Sequence, residues 1–221
     1  MAPRLGGLRQ GTGNLSMVTQ RKTTDYLRAI LPPQQVAVAR SEDTPVLPPE
    51  CAQLLRTLCV LARPQSILEV GTNVGYSAVT MLLAAPQATL YTIEMSEETA
   101  ELARENMKKA GVYERAHVYI GKAEEILPYM QGCYDLIFLD GPKGQYSLLS
   151  GYLVPLLKSG GMLVCDNVLF RGMVSGQRKV TPRKRTLCKK LDLFLRQISA
   201  DPNLETTVLP IGDGISISVK R

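Results

Sequence analysis

From Ser66 onward, short apolar runs alternate with stretches in which apolar positions recur at helical spacing. The runs Ser66 to Val70, Thr89 to Ile93, Ala116 to Ile120, Tyr134 to Leu139 and Met162 to Cys165 predict strands. Strands separated by helical segments predict βαβ units, hence a parallel sheet with helices on both faces. Ser96 to Ala110 predicts one helix. Ser96 is its N-cap, Glu97 and Glu98 suit the positive start, Lys108 and Lys109 suit the end, and Gly111 stops it. Pro182 to Ser199 predicts another, with Leu187, Leu191, Phe194, Leu195 and Ile198 on one stripe. In the tail, Thr207 to Leu209 and Ile215 to Val219 flank a Gly212-Asp213-Gly214 turn, which predicts an antiparallel pair closing the sheet. Upstream, Thr23 to Leu31 and Pro49 to Ala62 predict helices, joined by the proline-rich stretch Pro32 to Pro48. Residues 1–16 are glycine-rich, lack periodicity and precede a second methionine, Met17, so a disordered extension is expected there and a single domain over 17–221.

Composition narrows the class. At 221 residues and 45% hydrophobic content the chain can bury a substantial core. It contains no apolar run of the roughly 18–20 residues that cross a membrane and no signal-peptide stretch, so a cytoplasmic protein without a membrane partner is expected. Cys51, Cys59, Cys133, Cys165 and Cys188 form no C-x-x-C pair and lie mostly in apolar patterns, which predicts reduced, buried thiols. The one histidine, His117, falls in a strand and is expected to be structural, leaving little material for a zinc cluster or a Ser-His-Asp triad.

The net charge of +6 is unevenly spread. Residues 1–40 carry +5, residues 41–170 carry −6, and residues 171–190 carry eight cations and no acid. Arg171, Arg178, Lys179, Arg183, Lys184, Arg185, Lys189 and Lys190 would attract a polyanion through counterion release. The alternative is a solvated loop and helix face.

Candidate chemistry starts at Glu69-Val-Gly71-Thr-Asn-Val-Gly75-Tyr-Ser77, which joins the first strand to a helix through a glycine-bearing turn. Such turns bring backbone amides close to a nucleotide-like cofactor. The spacing departs from the dinucleotide G-x-G-x-x-G, which counts against an NAD-dependent oxidoreductase. In an open parallel sheet the ligand crevice lies beyond the carboxyl ends of the strands. Four acids stand there: Glu69, Glu94, Asp140 and Asp166, the last followed by Asn167. Each could simply be a cap or turn residue, but four at equivalent positions are hard to dismiss. Glu94 follows Gly71 by 23 residues, about the distance at which an acid accepts from ribose hydroxyls. Asp140, Asp166 and Asn167 offer hard oxygen donors that suit Mg²⁺. Lys143 follows Asp140 by three residues, so its amine could hang over the same crevice as a base.

Together with Tyr-Thr-Ile-Glu94, Gly121-Lys122-Ala123, Asp140-Gly-Pro-Lys143-Gly-Gln-Tyr and Cys-Asp166-Asn167-Val-Leu, this set resembles the cation-dependent O-methyltransferases of the catechol and caffeoyl-CoA type over residues 45–221. The resemblance implies a Rossmann-like α/β class I methyltransferase fold, with a seven-stranded, mostly parallel sheet, helices on both faces and a C-terminal antiparallel strand. It implies S-adenosylmethionine held by Glu69, Gly71, Gly75, Ser77, Glu94, Gly121, Lys122, Ala123 and Asp140. It also implies Mg²⁺ or Mn²⁺ on Asp140, Asp166 and Asn167, Lys143 as base, and a homodimer.

Against a catechol acceptor, the chain has no tryptophan and carries Pro142 beside Lys143 and Ser216 near its C-terminus. Its Asp-Asn-Val-Leu-Phe-Arg171 stretch, the basic run from Pro182 and the Gly-Asp213-Gly ending look like the bacterial tRNA 5-hydroxyuridine O-methyltransferase branch. That branch implies tRNA as partner, with Arg171, Arg183, Lys184, Arg185 and Lys189 on its phosphates. The other expectations weighed are a small-molecule O-methyltransferase acting on a catechol-like or CoA-linked phenol, and a non-catalytic RNA-binding protein.

Overall fold

The computed structural model describes Asp25, Tyr26, Ala29, Ile30, Val38 and residues 47–221. The chain divides into two units, Met1–Pro32 and Pro33–Arg221. In the first, Asp25, Tyr26, Ala29 and Ile30 are helical, within the helix expected at Thr23 to Leu31. The extension expected over residues 1–16 lies outside the described residues.

The second unit holds one sheet. Strands β1 (Ser66–Val70), β2 (Thr89–Glu94), β3 (Ala116–Ile120), β4 (Tyr134–Leu139) and β5 (Leu157–Cys165) pair in parallel. Strand β7 (Ile215–Lys220) inserts antiparallel between β5 and β6 (Leu204–Leu209), giving the order β3-β2-β1-β4-β5-β7-β6. The helices are α1 (Pro49–Ala62), α2 (Tyr76–Ala84), α3 (Glu97–Lys109), the short α4 (Ala123–Ile126), α5 (Tyr146–Leu156) and α6 (Arg185–Ala200). Among the described residues no helix is long and apolar enough to cross a membrane.

Strand periodicity of two divides the core. Ile67, Leu90, Leu136, Phe138 and Val164 pack against α1, α2 and α3. Their neighbours Leu68, Ile93, Ile137, Leu139, Leu163 and Cys165 pack with α5 and α6 on the opposite face. Burial on both faces makes the central strands read as continuous apolar runs. By the same parity Glu69 and Thr92, paired across β1 and β2, face the side of α2.

Several boundaries differ from the sequence expectation. Strand β5 begins at Leu157 rather than Met162, because its polar first half, Lys158-Ser-Gly-Gly, continues past a register shift between Tyr134 and Leu136. Glu94 closes β2 within the strand instead of just after it. The helix expected from Pro182 opens with a 3₁₀ turn, Pro182–Lys184, before α6. Ser96 caps α3 as expected, its hydroxyl accepting the Thr99 N–H at 3.2 Å. All five cysteines are free, and Cys133 is exposed, against the expectation of buried thiols, because it sits in the turn after Gln131-Gly132. His117 is structural as expected, its ring stacked on Tyr91 at 5.0 Å.

The sheet order reverses between β1 and β4, and there the backbones meet closely. Gly71 has φ +97°, and a Cβ built on it would lie 2.4 Å from the Asp140 carbonyl oxygen. Glycine is required here by the neighbouring strand end as well as by its backbone angle. Gly111 has φ +70° but open space around it. Gly111→Ala should therefore cost about 1–2 kcal/mol, the penalty of a left-handed backbone alone. Gly71→Ala should cost about 1–3 kcal/mol more, from overlap with Asp140. Equal losses in urea denaturation would refute the close contact as the reason for Gly71.

Candidate active site

The carboxyl ends of β1, β2, β4 and β5 converge on one crevice at this switch point. Its floor is a hydroxyl–carboxylate network. Glu69 is fully buried; its Oε1 accepts from Ser77 Oγ and its Oε2 from Thr92 Oγ1, both at 2.6 Å. Thr92 has one hydroxyl proton, and when it goes to ionised Glu69 the 2.5 Å contact to Thr72 Oγ1 makes Thr72 the next donor. Burial pushes the Glu69 carboxyl up to about 7, opposed by the Ser77 and Thr92 bonds. Glu69 and Ser77 are thus bonded to each other beneath the turn.

Glu94 grips that turn from the side. Its Oε2 accepts the Asn73 N–H at 2.8 Å and its Oε1 the Ser96 N–H at 3.0 Å. A carboxylate has about four acceptor positions, so capacity remains for a hydroxyl pair. The Gly121 N–H donates to the Glu94 carbonyl at 2.8 Å, which brings the Gly121-Lys122-Ala123 stretch alongside. Ala123 is buried, whereas Lys122 turns outward to pair with Glu125 at 3.0 Å. Gly75 caps α2 with φ +82°, and a Cβ there would lie 3.3 Å from Ala103 of α3.

On the other flank the structure brings Asp140, Lys143, Asp166 and Asn167 together. Lys143 Nζ lies 3.7 Å from Asp140 Oδ1. Asp166 Oδ1 accepts the Asn167 N–H at 2.7 Å, and Asn167 adopts φ +60°. Burial, then the Asp166 charge, pushes the Asp140 carboxyl up to about 7, with Lys143 opposing. Asp166, 1% exposed, is also raised, chiefly by burial. Two carboxylates and one ammonium leave excess negative charge in a poorly solvated place. Among the described residues no group of three His, Cys, Asp or Glu could hold a metal. The set here is two carboxylates and an amide, hard oxygen donors whose surplus charge fits a hydrated divalent cation of the magnesium type.

Two features escaped the sequence reading. Tyr146 is buried behind the acids, its hydroxyl bonded to backbone at both strand ends. Gln145 donates from Nε2 to Glu124 at 3.0 Å, tying the Lys143 turn to the segment after β3, while its buried Oε1 has no partner.

The basic segment borders this flank. Arg171, Arg178, Lys179, Arg183, Lys184, Arg185, Lys189 and Lys190 are all exposed. A Cβ at Gly144, inside the Lys143 turn, would lie 3.8 Å from Leu187 and 4.0 Å from Lys190 Cδ. Lys184 Nζ stands 5.5 Å from the Phe170 ring centre, three residues beyond Asn167. The Arg171 N–H donates to Asp213 Oδ1 at 3.1 Å, which fastens the loop to the β6–β7 turn. Ser216 is fully buried on β7 opposite Cys165.

The sequence profile of the family described as O-methyltransferase matches residues 27–221. The chain belongs to the O-methyltransferase family. It is 32% identical over 174 residues to caffeoyl-CoA O-methyltransferase 1 of Eucalyptus globulus, covering 75% of this chain and 70% of that protein. It is similar to the adenosylhomocysteine-bound methyltransferase PaMTH1 of Podospora anserina, with TM-score 0.70, 26% identity, and 91% and 87% of the two chains covered. The fold also matches the O-methyltransferase TomG of Streptomyces achromogenes in complex with SAM, with TM-score 0.75, 24% identity, and 93% and 99% covered. The expected S-adenosylmethionine-dependent O-methyltransferase, of caffeoyl-CoA type and with this sheet, therefore stands.

Glu69 gives this enzyme a pH dependence. Its folded carboxyl is raised from an ordinary 4.5 to about 7, so the folded state holds the proton more tightly than the unfolded chain. The stability it contributes is complete below pH 4.5 and is lost as pH climbs through about 7. Glu69→Gln should flatten that decline by up to about 3 kcal/mol between pH 4.5 and 8. Urea melts at the two pH values measure it, and an unchanged slope would contradict the buried-proton assignment.

Proposed function

We propose that this O-methyltransferase methylates the 5-oxygen of 5-hydroxyuridine at the tRNA wobble position, giving 5-methoxyuridine, with a divalent ion, Mg²⁺ or Mn²⁺, at Asp140, Asp166 and Asn167. The observation that carries the reading is a segment of eight exposed cations, Lys184 and Lys190 among them, bordering the buried Asp166 and the partly exposed Asp140. Among the described residues, Arg183, Arg185, Lys189 and Lys190 enter no ion pair, so their charge is available to an acceptor's phosphates. An anticodon loop offers its base already unstacked, and O5 and O4 of 5-hydroxyuracil are vicinal oxygens like those of a catechol.

S-adenosylmethionine would supply the methyl group on a sulfonium, and the divalent ion the positive charge that makes a vicinal hydroxyl acidic. Glu94 would hold the ribose of the cofactor, with Gly71 and the turn it opens beside it. Lys143 would take the acceptor's proton or hold the oxyanion, while Asp140 keeps the amine at the crevice. The buried hydroxyl network under the turn keeps these groups in place, so positioning and charge contribute most.

A second reading, a small phenolic acceptor joined to CoA, is supported by the relatives of that name. Its phosphates would use the same cations, but they are fewer than a run of eight is suited to. Incubating the enzyme with S-adenosylmethionine, Mg²⁺ and either hypomodified tRNA or caffeoyl-CoA decides it. Mass-spectrometric detection of 5-methoxyuridine supports the tRNA reading, and turnover on the thioester alone refutes it. Asp166→Ala should abolish turnover with adenosylhomocysteine affinity intact; normal turnover would sink the metal assignment. Reversing Arg183, Lys184 and Arg185 to Glu should weaken tRNA binding and lower the slope of log affinity against log salt by about 1 for each phosphate that is no longer neutralised.

A further inference from the structure

We propose that Tyr146 is a positioning residue for this site, its hydroxyl setting the spacing of the strand ends that carry Asp140 and Asp166. The inference rests on the metal reading above. The Tyr146 hydroxyl lies 3.0 Å from the Asp166 carbonyl oxygen and 3.3 Å from that of Leu139, the residue before Asp140. A phenol has one proton, so the two carbonyls share it. The Leu139 carbonyl also accepts the Asp166 N–H at 3.0 Å, so three groups from two strand ends and one helix meet at a single point. Strand β5 has ended at Cys165, and the Asp166 carbonyl takes the phenol as its donor just where the ladder stops.

The ring leaves the hydroxyl little freedom. Tyr146 is 1% exposed, and its ring meets Phe194 of α6 edge-on at 5.4 Å and 78°. Without the hydroxyl the ladder bond still joins β4 to β5, but the Asp166 carbonyl loses its donor and the Asp166–Asn167 peptide keeps only the local bond from its N–H to Asp166 Oδ1. Two carboxylates that repel each other would then separate.

Tyr146→Phe keeps the ring and deletes the bond. Mn²⁺ titration of the adenosylhomocysteine-bound protein, followed by paramagnetic resonance, should show affinity weakened by about ten- to a hundredfold, the usual consequence of losing a group that orients a metal ligand. Turnover at limiting Mg²⁺ should fall in parallel and recover at high Mg²⁺, with KM for S-adenosylmethionine unchanged. Mn²⁺ affinity equal to wild type overturns the inference, whether or not melting temperature and activity drop, because a purely structural role would leave the metal isotherm alone. Should Tyr146→Phe fail to fold, Phe194→Leu reads the same device by freeing the ring: weaker Mn²⁺ binding supports it and an unmoved isotherm opposes it. If wild-type protein binds no Mn²⁺, the metal reading falls and this inference with it, an outcome distinct from a normal wild-type isotherm shared by the variant.

Discussion

Everything in this crevice is arranged around two carboxylates held side by side, Asp166 buried and Asp140 partly exposed. Asp140 and Asp166 end adjacent parallel strands, and strand spacing fixes how far apart their backbones can be. Each would be better solvated elsewhere, and Asp140 is raised by the Asp166 charge as well as by burial. One ammonium, Lys143, offsets part of that repulsion from 3.7 Å. The fold therefore carries an electrostatic cost that a bound cation would relieve, and the surrounding structure has to be stiff enough to keep the acids from parting. Stiffness comes from Gly71 pressed on the Asp140 carbonyl, from the ladder bond between Asp166 and Leu139, and from Tyr146 behind both.

The cofactor flank uses the same device with other partners. Here a buried glutamate is surrounded by hydroxyls, and its preference for the proton near neutrality is moderated by Ser77 and Thr92. Glu94 then ties the turn above through the Asn73 and Ser96 amides. Anchoring a glycine-bearing turn by carboxylates from β1 and β2 leaves its outer face open to a ligand while its backbone amides stay fixed.

Much of this was legible in the chain. Strands β1 and β4 match their apolar runs because both faces are buried, β3 matches its run although it is a partly exposed edge strand, and the strand-end acids follow from topology, since parallel strands deliver their carboxyl ends to one side. The first half of β5 was not legible, as Lys158-Ser-Gly-Gly has neither alternation nor apolar content. Helix α5 gave no amphipathic stripe because apolar residues fill most of its positions, with Gly151 and Pro155 among them. The roles of Thr72, Thr92 and Tyr146 were also hidden: a hydroxyl's partner is set by tertiary contacts between distant segments, which spacing along the chain does not encode. Nor does spacing show that strand parity points Glu69 toward Ser77, whose hydroxyl donates to it.

The basic segment and the acid pair belong to one piece of architecture. Lys189 and Lys190 stand on α6, whose Phe194 packs on the Tyr146 ring, and Tyr146 in turn holds the strand ends of Asp140 and Asp166. Lys184 lies over Phe170 in the loop that leaves Asn167, and that loop is bonded to Asp213. A phosphate-bearing acceptor drawn to these cations would therefore press on elements that touch the metal-type donors directly. In the proposed reaction, long-range attraction from the cations would concentrate the acceptor, and short-range geometry at the carboxylates would select which of its oxygens reacts. On that reading affinity and selectivity would be set by different residues on the same helix-and-loop frame.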